Sequence, residues 1–299
     1  MKNMKKRFKR EWQMHLMLLP GIILIFIFSY IPLYGLVIAF EDYNPGRGFA
    51  SPWVGLKNFR FLFSQPNFVR TIWNSLYIAV FKMLGSIFVS VLFALLLNEI
   101  GNKILKRIFQ TLIYIPNFLS WVILAGILTD LLSVDGLINQ ALQAFGFNAV
   151  NFLGSSSIFP WTMIISDIWK GFGFGTVVYL AALTSIDPEL YEAARIDGGG
   201  RLAQTRFITL PMLAPTIVLM LVLALGRVMN AGFDQIYNLY APVVYDTGDI
   251  IDTYVYRLGI TQAQYSIGTA VGLFKSAISL ILVVTSYKLA DKLANYRIF

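Results

Sequence analysis

The chain has 299 residues, of which 57% are hydrophobic and 13% are charged. This composition excludes an ordinary water-soluble domain, because so much apolar surface cannot be buried in one soluble core. The net charge of +8 does not indicate nucleic-acid binding, since Lys and Arg concentrate at the N-terminus and between apolar runs, where lipid headgroups and membrane topology explain them. The absence of cysteine excludes disulfides, zinc fingers and iron–sulfur clusters, and we expect no metal site.

Long apolar runs predict an all-α, polytopic membrane protein with six transmembrane helices. A helix needs about 20 apolar residues to cross the hydrocarbon core of a bilayer. The alternation that marks transmembrane β-strands is absent. The predicted spans cover residues 16–40, 73–97, 108–131, 159–183, 212–234 and 267–290.

Basic residues predict the orientation of these spans, because cytoplasmic connections are enriched in Lys and Arg. The basic N-terminal segment, residues 1–15, is therefore expected to be cytoplasmic, and six spans return the C-terminus to the same side. Residues 16–299 show no linker or internal repeat and are predicted to form a single membrane domain. The basic side chains of the N-terminal segment are Lys2, Lys5, Lys6, Arg7, Lys9 and Arg10.

A polar connection between the fourth and fifth spans contains signals for both ends of a short helix. Asp187 can cap the N-terminus, and Pro188 suits the first helical position, which needs no amide hydrogen. Gly198 and the two glycines after it can adopt the left-handed backbone that ends a helix. We therefore predict a short cytoplasmic helix within a loop at about residues 185–211.

The same loop contains Glu-Ala-Ala at 192–194, a glycine at 198, and Ile-Thr-Leu-Pro at 208–211. This spacing resembles the EAA motif of binding-protein-dependent ABC importer permeases. The resemblance implies that the loop helix is a coupling helix, which docks in a groove of a separate ATPase subunit and transmits closure of the nucleotide dimer to the membrane helices. The coupling residues that it implies are Glu192, Ala193, Ala194, Gly198, Ile208, Leu210 and Pro211.

The resemblance covers nearly the whole chain, including the six spans, the overall length and the segment from Trp53 to Phe59. It is strongest to oligosaccharide-importer permeases, particularly the branch associated with polysaccharide fragments such as aldouronates and pectin-derived sugars. This implies a multi-pass protein of the cytoplasmic membrane, surrounded by lipid. The implied partners are a second permease in a heterodimer, an ATPase dimer and an extracytoplasmic sugar-binding lipoprotein.

No cofactor is expected in this chain. A phosphate-binding P-loop requires a Gly-Lys dipeptide, and none occurs in the sequence. The resemblance implies that ATP and Mg²⁺ are bound by the partner ATPase. An enzyme is not predicted either, because the one histidine is His15 and neither the His-Glu-x-x-His nor the Gly-x-Ser-x-Gly pattern is present.

Charged residues inside the predicted spans are candidates for the substrate pathway, because a charge within the bilayer is costly and is commonly functional. One interpretation is that they face a hydrated cavity and attract an acidic oligosaccharide that contains uronic acids. The alternative is that they form salt bridges, with the partner permease or with Asp167, or extend towards an interface. These residues are Lys82, Lys170, Arg227, Lys275 and Asp167.

Aromatic residues of the fourth span provide surfaces on which sugars could stack. Glycines at 171, 173 and 175 lie among them, and we interpret these as sites of close helix packing, with a broken helix at a substrate site as the alternative. The aromatic candidates are Trp161, Trp169, Phe172 and Phe174.

A secondary transporter or channel driven by an ion gradient is the alternative function, because it also requires intramembrane charges. No inverted repeat is visible, however, and the membrane carboxylates needed for a proton relay reduce to Asp167. The sequence therefore favours the importer permease.

Overall fold

A computed structural model describes the backbone of residues 2–294 and the side chains of residues 12–286 and 288. The side chains of the predicted basic N-terminal cluster lie outside these described residues. The cytoplasmic location of the two termini therefore stays a prediction. The same holds for the boundary between the N-terminal segment 1–15 and the membrane domain 16–299.

The described residues form helices and connecting loops, which confirms the all-α prediction. They contain no β-strand, and only two isolated bridges, Glu41 with Trp53 and Asn44 with Gly48. The α-helices are α1 (Lys2–Ile25), α2 (Lys57–Ser64), α3 (Pro66–Glu99), α4 (Lys103–Phe118), α5 (Trp121–Leu132), α6 (Leu137–Ala144), α7 (Phe159–Leu183), α8 (Pro188–Ile196), α9 (Arg201–Gln204), α10 (Leu210–Leu225), α11 (Phe233–Leu239), α12 (Tyr245–Gly248), α13 (Ile251–Val255) and α14 (Tyr265–Ala294).

Five helical segments within the described residues are long and apolar enough to cross a membrane. The predicted fourth span corresponds to α7, which has 25 residues and the predicted bounds. Asp167 and Lys170 near the middle of α7 lower its mean hydropathy, and it is not one of the five. The number of spans therefore stays a prediction. The five segments are Trp12–Phe40, Pro66–Glu99, Trp121–Ala144, Arg201–Leu225 and Tyr265–Ser286.

The predicted third span, residues 108–131, is not a single helix. α4 ends at Phe118 and α5 begins at Trp121. The side chain of Ser120 accepts a hydrogen bond from the backbone N–H of Ile123 (3.3 Å), so it caps a new helix at this point. Hydropathy does not reveal the break, because the sequence is apolar on both sides of it.

The predicted fifth span, residues 212–234, is wrong at both ends. Helical structure begins earlier, with α9 and the π-helical turn Thr205–Thr209, which lead directly into α10. α10 then ends at Leu225, and Gly232 adopts a φ of +96°, a left-handed conformation that stops regular helix. Asp234 consequently belongs to the separate helix α11.

The described chain forms two compact units. The smaller comprises residues 2–64 and 255–274, and the larger comprises residues 65–254 and 275–294. In the smaller unit the backbone N–H of Tyr43 donates to the hydroxyl of Ser266 (2.9 Å), and Phe40 stacks on Trp53. The side chains of segment Trp12–Phe40 are almost entirely exposed and apolar, as lipid-facing side chains are.

The larger unit is built on the pairing of α3 with α7. The hydroxyl of Ser90 on α3 donates to the carbonyl of Phe172 on α7 (3.0 Å), and the hydroxyl of Thr176 donates to the carbonyl of Ser90 (3.3 Å). α4 also packs closely on α7, because a Cβ atom added at Gly173 would lie 2.0 Å from the carbonyl oxygen of Ile113. α7 is continuous, so its glycines do not break the helix. Gly173 and Gly175 serve close packing, whereas Gly171 faces open space.

Replacing Gly173 by alanine should destabilise the larger unit, because the new methyl group would push α4 away from α7. We expect a loss on the order of 1–3 kcal/mol, as for other overpacked positions. The matched control is Gly171→Ala in the same helix, where a Cβ meets nothing within 4 Å. Thermal unfolding of the two variants in detergent should show a lower midpoint for Gly173→Ala alone; equal midpoints would contradict the close packing.

Candidate functional site

The predicted loop helix is present as α8, and both of its ends are capped as its sequence predicts. The carboxylate of Asp187 accepts a hydrogen bond from the backbone N–H of Glu189 (3.0 Å). At the other end Gly198 has a φ of +80°, its N–H donates to the carbonyl of Arg195 (3.1 Å), and the next N–H, of Gly199, donates to Ala194 (2.7 Å). This pair of bonds is a Schellman motif, so α8 is a short helix with defined ends.

One side of α8 packs against the rest of the larger unit. Tyr191 packs against a buried cluster that includes Leu97, Leu183 and Leu213, and its hydroxyl lies 3.1 Å from the hydroxyl of Thr209. Ile208 packs against the same cluster. The helix is therefore fixed to the beginning of α10 through two residues, Tyr191 and Thr209, that sequence analysis did not single out.

The opposite side of α8 is exposed. Glu192, Ala193 and Gly198 lie at the surface, and Ala194 is half-buried. The side chain of Ile196 is 87% exposed. Leu210 and Pro211 are also exposed, at the start of α10. A surface with apolar side chains on a rigid, capped helix is a suitable docking site for another protein.

A cavity of about 650 Å³ lies between α3, α7 and the end of α10 in the larger unit. Three of the predicted pathway residues line it, namely Lys82, Asp167 and Arg227. Asn230 and Tyr179 also line it, and both were missed because neutral polar residues do not stand out in an apolar sequence.

Lys82 is buried, with only 6% of its surface exposed, and protein acceptors surround its ammonium group. Its Nζ donates to the carbonyl oxygen of Ala231 (2.7 Å) and to the side-chain oxygen of Gln235, and it lies 3.7 Å from the carboxylate of Asp167. Gln235 is fully buried and donates in turn to the carbonyl of Met163 (2.9 Å). Gln235 lies just outside the predicted fifth span, residues 212–234, and was not a candidate. Gly232, which interrupts the apolar run shortly before it, was the signal that could have revealed this turn.

Arg227 differs from Lys82 in its surroundings. It is exposed and lies in the turn that follows α10, where its carbonyl accepts a hydrogen bond from the backbone N–H of Asn230 (2.8 Å). Among the described residues no carboxylate forms an ion pair with Arg227.

Lys275 and Lys170 do not line the cavity, and both contact groups within the chain. Lys275 on α14 forms an ion pair with Asp252 (2.5 Å) and donates to the side-chain oxygen of Asn230 (2.8 Å). Lys170 donates to the carbonyl of Asn117 (3.3 Å), beside the break between α4 and α5. The alternative of a salt bridge to Asp167 thus describes Lys82, which lies 3.7 Å from that carboxylate. The ion pair between Lys275 and Asp252 was not predicted.

The aromatic candidates of α7 are dispersed and do not line the cavity. Phe172 is buried and packs against Phe93, with the ring centroids 4.6 Å apart. Trp161 contacts Tyr77 and Phe81 edge to face. The remaining two, Trp169 and Phe174, have exposed side chains.

Comparisons with known proteins decide the class of this chain. The family model described as "Binding-protein-dependent transport system inner membrane component" matches residues 86–295. The chain belongs to this family. The resemblance drawn from the EAA-like spacing is confirmed, and this permease is a multi-pass component of the cytoplasmic membrane.

Individual relatives cover almost the entire permease. The polygalacturonan/rhamnogalacturonan transport system permease protein YteP of Bacillus subtilis (strain 168) is 44% identical over 288 residues, which are 96% of this chain and 90% of that protein. The alternative function, a transporter or channel driven by an ion gradient, is not supported by these relatives.

Two solved structures resemble the permease along its length. One is a bacterial ABC transporter involved in the import of the acidic polysaccharide alginate, with a TM-score of 0.90, 39% identity, and coverage of 97% of this chain and 99% of that chain. The other is a bacterial alginate ABC transporter in complex with an alginate pentasaccharide-bound periplasmic protein, with a TM-score of 0.88, 39% identity and 96% of each chain covered. The fold of the permease is thus that of an ABC importer.

Substituting alanine for Gly232 should disturb the wall of the cavity. The left-handed φ disfavours any side chain, and a Cβ atom would lie 2.9 Å from Nζ of Lys82. We expect a loss of about 1–2 kcal/mol of stability from the backbone conformation alone. Thermal unfolding should show a lower midpoint than for the control Gly126→Ala, where a Cβ meets nothing within 4 Å. A Gly232→Ala variant as stable as this control would refute the left-handed conformation of Gly232 and its close approach to Lys82.

Proposed function

We propose that this permease moves oligosaccharides, including acidic ones that contain uronic acids, across the cytoplasmic membrane. We further propose that a separate ATPase dimer, which binds ATP and Mg²⁺, drives it. An extracytoplasmic sugar-binding lipoprotein delivers the cargo, and a second, related permease completes the translocation path as a heterodimer.

The cavity of the larger unit carries the proposal for the cargo. Its lining contains two cations, Lys82 and Arg227, and one carboxylate, Asp167, so it has a surplus of positive charge. A positive surplus in a cleft attracts anionic groups. The names of relatives agree with this chemistry, since polygalacturonan is a polymer of a uronic acid and alginate is described as an acidic polysaccharide.

The geometry of α8 supports the proposed coupling to an ATPase. A helix that is capped at both ends moves as one body, whereas a flexible loop would absorb the displacement. Ile196 offers an exposed apolar contact, and Leu202, 83% exposed on α9, lies in the same loop. Glu192 and Ala193 belong to the same exposed side, as expected for residues that contact a partner.

Transport by the complete complex tests the proposed function. Proteoliposomes that contain both permeases and the ATPase, with the binding protein added outside, should take up labelled trigalacturonate when ATP is enclosed. Uptake should continue when ionophores dissipate proton and sodium gradients. Uptake that required an ion gradient, or an absence of uptake from complexes with active ATPase, would contradict the proposal.

The substitution Ile196→Asp should weaken docking of the ATPase, because a carboxylate would be desolvated at an apolar contact. We expect the purified complex to lose ATPase subunits and the remaining ATPase activity to respond less to the binding protein. The conservative variant Ile196→Val retains an apolar contact and should behave as the wild type. The measurements are co-purification of the ATPase and its activity stimulated by the binding protein. Equal behaviour of the two variants would show that α8 does not contact the ATPase at Ile196.

A further inference from the structure

We propose that the two cations of the cavity have separate roles: Arg227 binds the carboxylate of a passing acidic sugar and sets the preference for acidic over neutral oligosaccharides, whereas Lys82 is a positioning residue. This inference rests on the proposed function and deepens it. It assigns selectivity to a single side chain in the turn after α10. Lys82, in this proposal, does not contact the cargo.

The hydrogen-bonding capacity of Lys82 is already used by the protein. An ammonium group has three N–H donors, and it meets the carbonyl of Ala231, the side-chain oxygen of Gln235 and the nearby carboxylate of Asp167. With 6% of its surface exposed, the side chain has little area left for a ligand. Its partners on residues 231 and 235 lie on both sides of Gly232, so Lys82 holds this part of the chain against α3.

The remaining charge of the cavity belongs to Arg227. The lining contains two cations and one carboxylate, and the carboxylate of Asp167 lies 3.7 Å from Lys82, so this pair is neutral overall. One positive charge remains, on an exposed guanidinium with no ion-pair partner among the described residues. The planar guanidinium can bind a carboxylate through two parallel hydrogen bonds, which an ammonium cannot do.

A further donor lines the same cavity. The side-chain oxygen of Asn230 accepts a hydrogen bond from Lys275 (2.8 Å), which leaves its NH₂ group available as a donor. Asn230 is exposed, and together with Arg227 it suits the carboxylate and hydroxyl oxygens of a uronic acid. Asp167 would repel such a group if Lys82 did not neutralise it.

The two roles predict different selectivity after substitution. Arg227→Gln should lower uptake of trigalacturonate about tenfold or more, the effect of losing a hydrogen bond to a charged group, and should leave uptake of its neutral methyl ester unchanged. Arg227→Lys should restore part of the acidic uptake. Arg107→Gln, which removes a charge from the exposed surface of α4, serves as the control for net charge and should change neither uptake.

Lys82→Met should instead lower the thermal stability of the complex and reduce uptake of both sugars. Because this variant also leaves Asp167 without its counter-charge, the double variant Lys82→Met with Asp167→Asn removes the whole pair. Any transport that the double variant retains should still prefer the acidic sugar, because Arg227 is intact. The measurement is initial uptake of each sugar by proteoliposomes of the complete complex, per folded transporter.

Each variant is compared with wild type using the same binding protein, so the preference of the binding protein cancels. The inference is overturned if Arg227→Gln lowers uptake of both sugars equally or of neither. It is also overturned if the double variant loses the preference for the acidic sugar. Wild-type complexes that transport neither sugar would refute the proposed function itself, which is a distinguishable result.

Discussion

The buried ammonium group of Lys82 is the constraint on which the arrangement of the larger unit depends. Removing a charge from water costs several kcal/mol, so the group is stable only while acceptors surround it. Those acceptors come from α7 and from the chain around Gly232, whereas Lys82 belongs to α3. If one acceptor were displaced, the others would face an incompletely paired charge. The three parts therefore adopt their positions together, and the wall that carries Arg227 is defined by this requirement.

Close packing adds a second constraint, because lipid provides no hydrophobic force that would drive helices together. Gly173 brings the backbone of α7 against α4, and Gly175 brings it against the side chain of Ser90 on α3. Hydroxyl groups on these surfaces then bond to carbonyls of the neighbouring helix. α7 is thus the central helix of the larger unit. It packs against α3 and α4, and its Asp167 pairs with Lys82 of α3.

Much of this arrangement can be predicted from sequence where the signal is local. The ends of α8 follow from Asp187 and Gly198, because capping depends on residues within one turn. The cost of a charge in the membrane likewise identifies Lys82 and Arg227 as candidate functional residues. The contacts that distinguish Lys82 from Arg227 could not be predicted, because Ala231 and Gln235 are brought to Lys82 by tertiary structure. Hydropathy also missed both helix breaks, because each is short compared with the apolar segment around it.

The hydrogen bond between Tyr191 and Thr209 has a mechanical consequence. α10 starts immediately after Thr209, and its 16 residues end two positions before Arg227. At 1.5 Å per residue this helix is about 24 Å long. α10 contains Pro215 but is continuous over this length, so a displacement of α8 along its axis would be carried towards the turn of Arg227 by a single helix. If the proposed ATPase docks on α8, thermodynamic reciprocity requires that an anion held at Arg227 bias the position of α8 as strongly as the nucleotide state of that ATPase biases the affinity of the cavity.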